Sequence, residues 1–108
     1  MLPSSKRLRT AEVREILSIG RSVRGSNILS AKTLPSQKGG FRAAAVVSKK
    51  LAKTAIMRNR LRRAIYRALE QQQTVPSVKI ALFLKVKPPL PMAPVLRSEI
   101  EGILRNVQ

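Results

Sequence analysis

Residues 53–70, KTAIMRNRLRRAIYRALE, carry the side chains of this sequence that are best suited to chemistry with an anion. A guanidinium group is planar and can donate two parallel hydrogen bonds to one phosphate. Five arginines fall within ten positions of this segment, namely Arg58, Arg60, Arg62, Arg63 and Arg67. Asn59 lies between two of them and has an amide that can bond a base edge or a ribose 2′-hydroxyl. The segment therefore suggests phosphate binding, with an ordinary solvated basic face as the alternative.

The charge balance of the whole chain favours binding over mere solvation. Of 108 residues, 22 are Lys or Arg and five are acidic, which gives a formal net charge of +17. Residues 49–67 contain eight Lys or Arg and no acid, so no ion pairs between successive helical turns relieve the repulsion. A polyanion such as a nucleic acid would neutralise this charge. We therefore expect a nucleic-acid-binding protein.

The missing residue types argue against a catalytic centre built from side chains. The chain has no Cys, His or Asp, which excludes thiol nucleophiles, His-ligated zinc and Ser–His–Asp chemistry. Its five carboxylates are glutamates on segments that resemble ordinary amphipathic helices. We expect no catalytic side chain and no metal bound by the protein itself.

Hydrophobic spacing predicts that the arginine-rich segment is a helix with one apolar side. At about 100° per residue, one arc faces a core and consists of Met57, Leu61, Ala64, Ile65, Ala68 and Leu69. We expect the arginines, Asn59 and Tyr66 to face outward, away from that core.

The rest of the pattern predicts an α+β fold with the order α-β-β-α-β-α. A first helix is capped by Thr10 and ends at Gly20 as a C′ residue. Residues 27–34 and 41–47 pair as a hairpin, residues 78–86 alternate as a strand, and a last helix of about a dozen residues follows. We expect a two-layer sandwich whose helices pack on one face of a central sheet. We expect residues 1–108 to form one domain that binds nucleic acid, with residues 1–9 as a basic arm that could be flexible.

Among polyanions, a folded RNA fits best. Strand signals on both sides of the basic helix argue against a helix-turn-helix DNA-binding protein. The aromatics are Phe41, Tyr66 and Phe83, too few for a sheet that stacks bases. No segment approaches the roughly 20 apolar residues of a membrane span, and the N-terminus does not resemble a secretory signal. We expect no DNA or membrane partner and a cytoplasmic location.

The segment VVSKKLAKTAIMRNRLRRAIYRAL resembles the bacterial ribonuclease P protein subunit. The matching features are the run Ser48-Lys49-Lys50, then Ala55, then the Arg-Asn-Arg-x-x-Arg pattern that begins at Arg58. The flanks, KRLRTAEVREILSIGRSVRG and KIALFLKV, also resemble the family. A structural RNA-binding protein of the ribosome is the alternative, and the Arg-Asn-Arg pattern favours the first.

The resemblance implies a catalytic RNA that uses Mg²⁺ to hydrolyse precursor tRNA and leave a mature 5′ end. The protein would hold that RNA and contact the 5′ leader of the precursor. It also implies that the basic helix joins two parallel strands by a left-handed crossover, against the usual rule. The implied contacts to the catalytic RNA are Lys49, Lys50, Lys53, Arg58, Asn59, Arg60, Arg62 and Arg63, to which we add Arg67 on the same face.

The resemblance further implies a leader-binding cleft between the first helix and the sheet. Aromatics that are frequent in the family are replaced here by Val13, Leu17, Ile28 and Ala31. Each missing aromatic removes a stacking platform worth about 1–3 kcal/mol per base. We expect either weaker leader binding or binding that depends on charges such as Arg42 and Lys85. Val13 and Leu17 could equally be core residues.

Overall fold

Three helices and four strands make up the part of the chain that the computed structural model describes, residues 6–36, 39–72, 74–88 and 92–107. The elements are α1 (Thr10–Ile19), β1 (Arg21–Val23), β2 (Leu29–Pro35), β3 (Arg42–Val46), α2 (Ala55–Glu70), β4 (Val78–Leu84) and α3 (Ala93–Arg105). The predicted α+β order is confirmed, with β1 as an additional strand too short to leave a pattern. Residues 1–5 of the predicted basic arm lie outside the described residues.

The four strands form one mixed sheet in the order β1-β2-β4-β3. The predicted hairpin between residues 27–34 and 41–47 is wrong, because β4 lies between these two segments. β4 pairs antiparallel with β2, with Leu29 opposite Leu84, and parallel with β3, with Ala43 opposite Ile80. α2 connects the parallel neighbours β3 and β4, which is the connection for which the resemblance implies a left hand.

The composition of β4 explains its central position. Ile80, Ala81 and Leu82 are all fully buried, so this strand is covered on both faces of the sheet. Successive side chains of a strand point to opposite faces. Ile80 and Leu82 belong to the main core with side chains of α2 and α3, whereas Ala81 faces the other way.

The prediction that all helices pack on one face holds for α2 and α3 but is wrong for α1. α1 lies against the opposite face of the sheet, where its Ile16 is fully buried outside the main core. Side chains of that face, Arg42 and Lys79, form ion pairs with Glu12 of α1. The helix is therefore held by charge as well as by apolar packing.

The apolar side of α2 agrees with the predicted stripe except at two positions. Met57, in the first turn of the helix, is 40% exposed. Tyr66, predicted to face outward, is buried, and its hydroxyl oxygen accepts a hydrogen bond of 3.1 Å from the N–H of Ala45. Since β3 is an edge strand, Tyr66 satisfies a donor that no neighbouring strand can reach.

The start and end of α1 differ from the predicted caps. Arg9, rather than Thr10, is the N-cap residue, and its N–H donates to the Glu12 carboxylate at 3.1 Å. A carboxylate in the first turn also interacts favourably with the helix dipole. Gly20 ends the helix with φ −71°, so its backbone is extended rather than left-handed.

Candidate nucleic-acid interface

An exposed band of cations extends from the turn before α2 along the outward side of that helix. Thr54 caps the helix by accepting a hydrogen bond of 3.2 Å from the N–H of Met57, which fixes where the helix begins. The exposed members of the band are Lys49, Lys50, Lys53, Arg60, Arg62, Arg63 and Arg67. We call this set the basic face of α2. The side chains of Arg60, Arg63 and Arg67 have no hydrogen-bond or ion-pair partner among the residues that the structure describes.

Arg58 differs from the other arginines of the segment. It is half-buried, and one guanidinium nitrogen donates to the carbonyl oxygens of Ala52 and Lys53, at 3.0 Å and 3.1 Å. These bonds tie the first turn of α2 to the preceding turn that carries the lysines. Arg58 therefore positions the basic face, whatever contact it also makes with an anion.

Asn59 and Arg62 are paired with each other on the exposed side of α2. The Asn59 amide oxygen accepts a hydrogen bond from the guanidinium of Arg62, one helical turn later. The pairing orients the Arg62 fork and leaves the Asn59 amide nitrogen available for an acceptor. Both side chains therefore present donors outward, as the sequence predicts.

A second candidate surface is a groove of about 740 Å³ between the end of α1 and the sheet. Its cations are Arg24, Lys32 and Lys85, and none of the described residues that line it is acidic. Lys32 also donates to the carbonyl oxygen of Leu17 at 3.2 Å, which ties β2 to the last turns of α1. The half-buried ring of Phe83 is the aromatic side chain among the described lining residues.

Three of the six predicted cleft residues line this groove. Leu17 is 45% exposed there, Lys85 contributes charge, and Ala31 lines it although its methyl group belongs to the main core. Because Leu17 is so exposed, the core-packing alternative for that residue does not hold.

The other three predicted cleft residues are not among the described lining residues of the groove. Ile28 packs half-buried against the main core, and Val13 is half-buried on α1. Arg42 lies in an ion pair with Glu12 instead of facing the groove.

The Glu12 carboxylate is a structural centre that sequence reasoning missed. Its two oxygens accept from the two terminal nitrogens of Arg42 at 2.5 Å and 2.8 Å, and Lys79 approaches at 3.4 Å. Burial raises the pKa of Glu12, but hydrogen bonds from the Arg9 N–H, Arg42 and Lys79 outweigh it and hold the pKa below its ordinary value. Its side-chain partners Arg42 and Lys79 lie 30 or more residues away, and the sequence showed only an acid in the first turn of a helix.

The described residues contain no group of three or more Cys, His, Asp or Glu side chains that could hold a metal ion. Within the same residues, no helix is long and apolar enough to cross a membrane. The two surfaces offer guanidinium, ammonium, amide and hydroxyl groups, which bind phosphates and sugars. Fold and surfaces together define a basic α+β protein built to bind nucleic acid.

Comparison with known proteins identifies the family. The family model for ribonuclease P matches residues 2–107, so the chain belongs to the ribonuclease P protein family. It is thus a protein subunit of the ribonuclease that matures the 5′ end of tRNA, and RNA binding and tRNA processing follow from the family. This result decides against the ribosomal alternative.

Solved structures show the same fold. The ribonuclease P protein of Thermotoga maritima superposes with a TM-score of 0.82 at 17% identity, over 94% of this chain and 97% of that chain. The Staphylococcus aureus protein gives 0.76 at 22% identity, over 93% of both chains. No curated protein sequence matches the chain. The family implies ribonuclease P RNA and precursor tRNA as partners.

Proposed function

We propose that the basic face of α2 binds the catalytic RNA of ribonuclease P. The observation that carries this proposal is the set of exposed arginines on one helix face, of which Arg60, Arg63 and Arg67 have no partner in the described structure. An exposed arginine side chain without a protein partner can donate two parallel hydrogen bonds to one phosphate. Arg58 positions the basic face of α2 through its hydrogen bonds to the turn before the helix.

The groove beside α1 is proposed to receive the 5′ leader of precursor tRNA. Three cations and several hydroxyl groups suit a single-stranded phosphate backbone, while Phe83 is the one aromatic ring among the described lining residues on which a base can stack. Since stacking contributes about 1–3 kcal/mol per base, leader binding here depends mainly on charge and falls steeply with salt.

Hydrolysis is assigned in this proposal to the RNA subunit and to Mg²⁺ ions that the RNA holds. The chain contains no His, Cys or Asp, so it lacks most of the groups that hold catalytic metals in proteins. The protein contributes positioning and charge neutralisation. We also propose that residues 1–108 act as one RNA-binding domain with residues 1–9 as its basic arm, and that the protein works in the cytoplasm, where precursor tRNA is made.

Reconstitution tests this division of labour. The protein is mixed with the ribonuclease P RNA of the same organism at low Mg²⁺, and the cleavage of precursor tRNA is followed. We expect faster cleavage than with the RNA alone, and the gain should be greater for a precursor with a long leader than for one with a single leader nucleotide. Equal rates with and without the protein would refute the proposal.

A further inference from the structure

The loop formed by residues 24–27, between β1 and β2, forms one wall of the groove. All four of its residues, Arg24, Gly25, Ser26 and Asn27, line that groove. Arg24 supplies one of the three groove cations. The path of this loop therefore sets the width of the groove and the position of one of its charges.

A carboxylate of α3 holds the loop from behind. One oxygen of Glu99 accepts a hydrogen bond of 2.8 Å from the Ser26 hydroxyl and one of 3.2 Å from the N–H of Asn27. The Ser26 oxygen in turn accepts from the N–H groups of Ile28 and Leu29, at 3.0 Å and 3.1 Å. A single acid thus fixes both the loop and the entry of the chain into β2.

Two further residues on the same side of α3 contact the loop. Asn106 donates to the carbonyl oxygen of Arg24 at 2.7 Å. Gly102 meets Gly25 backbone to backbone, so that a Cβ on Gly102 would lie 2.8 Å from the carbonyl oxygen of Gly25. Glu99, Gly102 and Asn106 are spaced by three and four residues, which places them on one face of the helix.

We infer that Glu99 is a positioning residue for the leader groove, acting through the loop 24–27. This inference rests on the proposed role of the groove. Glu99 is not among the residues that line the groove, so it acts on a leader through Ser26 and Asn27 rather than by contact. Gly102 and Asn106 hold the same loop at its other end.

The inference is testable because a positioning role and a purely electrostatic role of Glu99 predict opposite changes in binding affinity when the residue is removed. Removing an acid from a protein of net charge +17 strengthens its general attraction for RNA. Removing the residue that orients the loop weakens binding of the leader. Glu101 provides the matched control, because Glu101→Ala removes the same charge two residues away, where the carboxylate pairs only with Arg105 of its own helix among the described residues.

The experiment uses the holoenzyme reconstituted with the ribonuclease P RNA and measures equilibrium binding of precursor tRNA with a long leader and of mature tRNA without one. We expect Glu99→Ala to weaken binding of the precursor by about fivefold to tenfold, the scale of one ordinary hydrogen bond. Binding of mature tRNA and of the catalytic RNA should stay within about twofold. Glu99→Gln, which keeps an acceptor oxygen, should recover most of the loss, and Glu101→Ala should show none.

Ser26→Ala removes the hydrogen bond to Glu99 from the loop side without changing the charge, together with the two bonds that the Ser26 oxygen accepts from Ile28 and Leu29. It keeps the test decisive if Glu99→Ala does not fold. It should weaken precursor binding in the same direction, and the double variant should add little. Unchanged or tighter precursor binding in both variants would overturn the inference, and so would equal losses for precursor and mature tRNA. A wild-type holoenzyme that does not distinguish the two RNAs would instead overturn the proposed role of the groove.

Discussion

Replacing Arg58 and Arg60 one at a time should separate the folding role of the arginine motif from its RNA-binding role. The two residues lie two positions apart on α2, yet only Arg58 bonds to the chain itself, through the carbonyl oxygens of Ala52 and Lys53. Arg60 is exposed and has no partner within the described structure. We therefore expect Arg58→Ala to change mainly stability and Arg60→Ala to change mainly RNA affinity.

The structure sets the size of each effect. Arg58→Ala loses one half-buried and one exposed hydrogen bond from a charged donor, so the free energy of unfolding should fall by about 2 kcal/mol. Arg60→Ala replaces an exposed side chain by a better helix former, so that free energy should change by less than about 0.5 kcal/mol. Its affinity for the catalytic RNA should drop roughly fivefold, or about 1 kcal/mol, for one exposed phosphate contact.

Denaturant unfolding and RNA binding at several salt concentrations measure these effects. Loss of one phosphate contact should reduce the slope of log affinity against log salt by about 0.7–0.9 in Arg60→Ala. In Arg58→Ala the slope should change by less than about half that amount, because its donors are used within the protein. Equal destabilisation by both substitutions, or an unchanged salt slope in Arg60→Ala, would refute this division of roles.

Three further predictions concern the contacts that hold the elements together. Tyr66→Phe leaves the Ala45 N–H without its acceptor, so unfolding experiments should show a loss of about 1–3 kcal/mol with unchanged RNA affinity of the folded protein; a lower affinity would indicate that Tyr66 contacts RNA. The pKa of Glu12 is lowered on folding, so this residue adds to the free energy of unfolding at pH values above its ordinary pKa. That stabilisation is lost as the pH falls through the pKa of Glu12 in the folded protein. Stability measured from about pH 7 to pH 3 should therefore decline less steeply in Glu12→Gln. Gly102→Ala should lower the Tm, because the new methyl group would lie 2.8 Å from the backbone oxygen of Gly25. This clash should outweigh the gain of about 1 kcal/mol that alanine gives a helix over glycine. A higher Tm would show that the loop moves away at little cost.

Patterns within single elements predicted much of this protein. The alternating apolar residues of β4 and the helical spacing of apolar residues in α2 identified both elements, because this spacing indicates which side of each element packs on the core. Strand pairing could not be predicted in the same way. The rule that neighbouring strands pair favoured a hairpin of β2 with β3, whereas the stronger apolar character of β4 puts it between them.

The partners of individual polar residues were beyond sequence reasoning. Arg42 was predicted as a charge of the leader cleft, and nothing in the sequence indicated its ion pair with Glu12, 30 residues away. Tyr66 was predicted to face outward from its helix, but it is buried and its hydroxyl accepts from the N–H of Ala45 in an edge strand. Likewise Glu99 resembled an ordinary helix-surface acid until its contact with Ser26, 73 positions away, was visible.

Successive side chains of β4 point toward the two proposed RNA surfaces, which lie on opposite sides of the sheet. Ile80 and Leu82 point to the core beneath α2, so they support the basic face, whereas Phe83 lies on the opposite face and lines the groove. The side chains on one side of β4 therefore pack beneath α2, and a side chain on its other side lines the groove. Under the proposed function, substitutions in one surface should leave the other ligand's affinity unchanged, while a substitution that shifts β4 itself, such as Leu82→Ala, should weaken both.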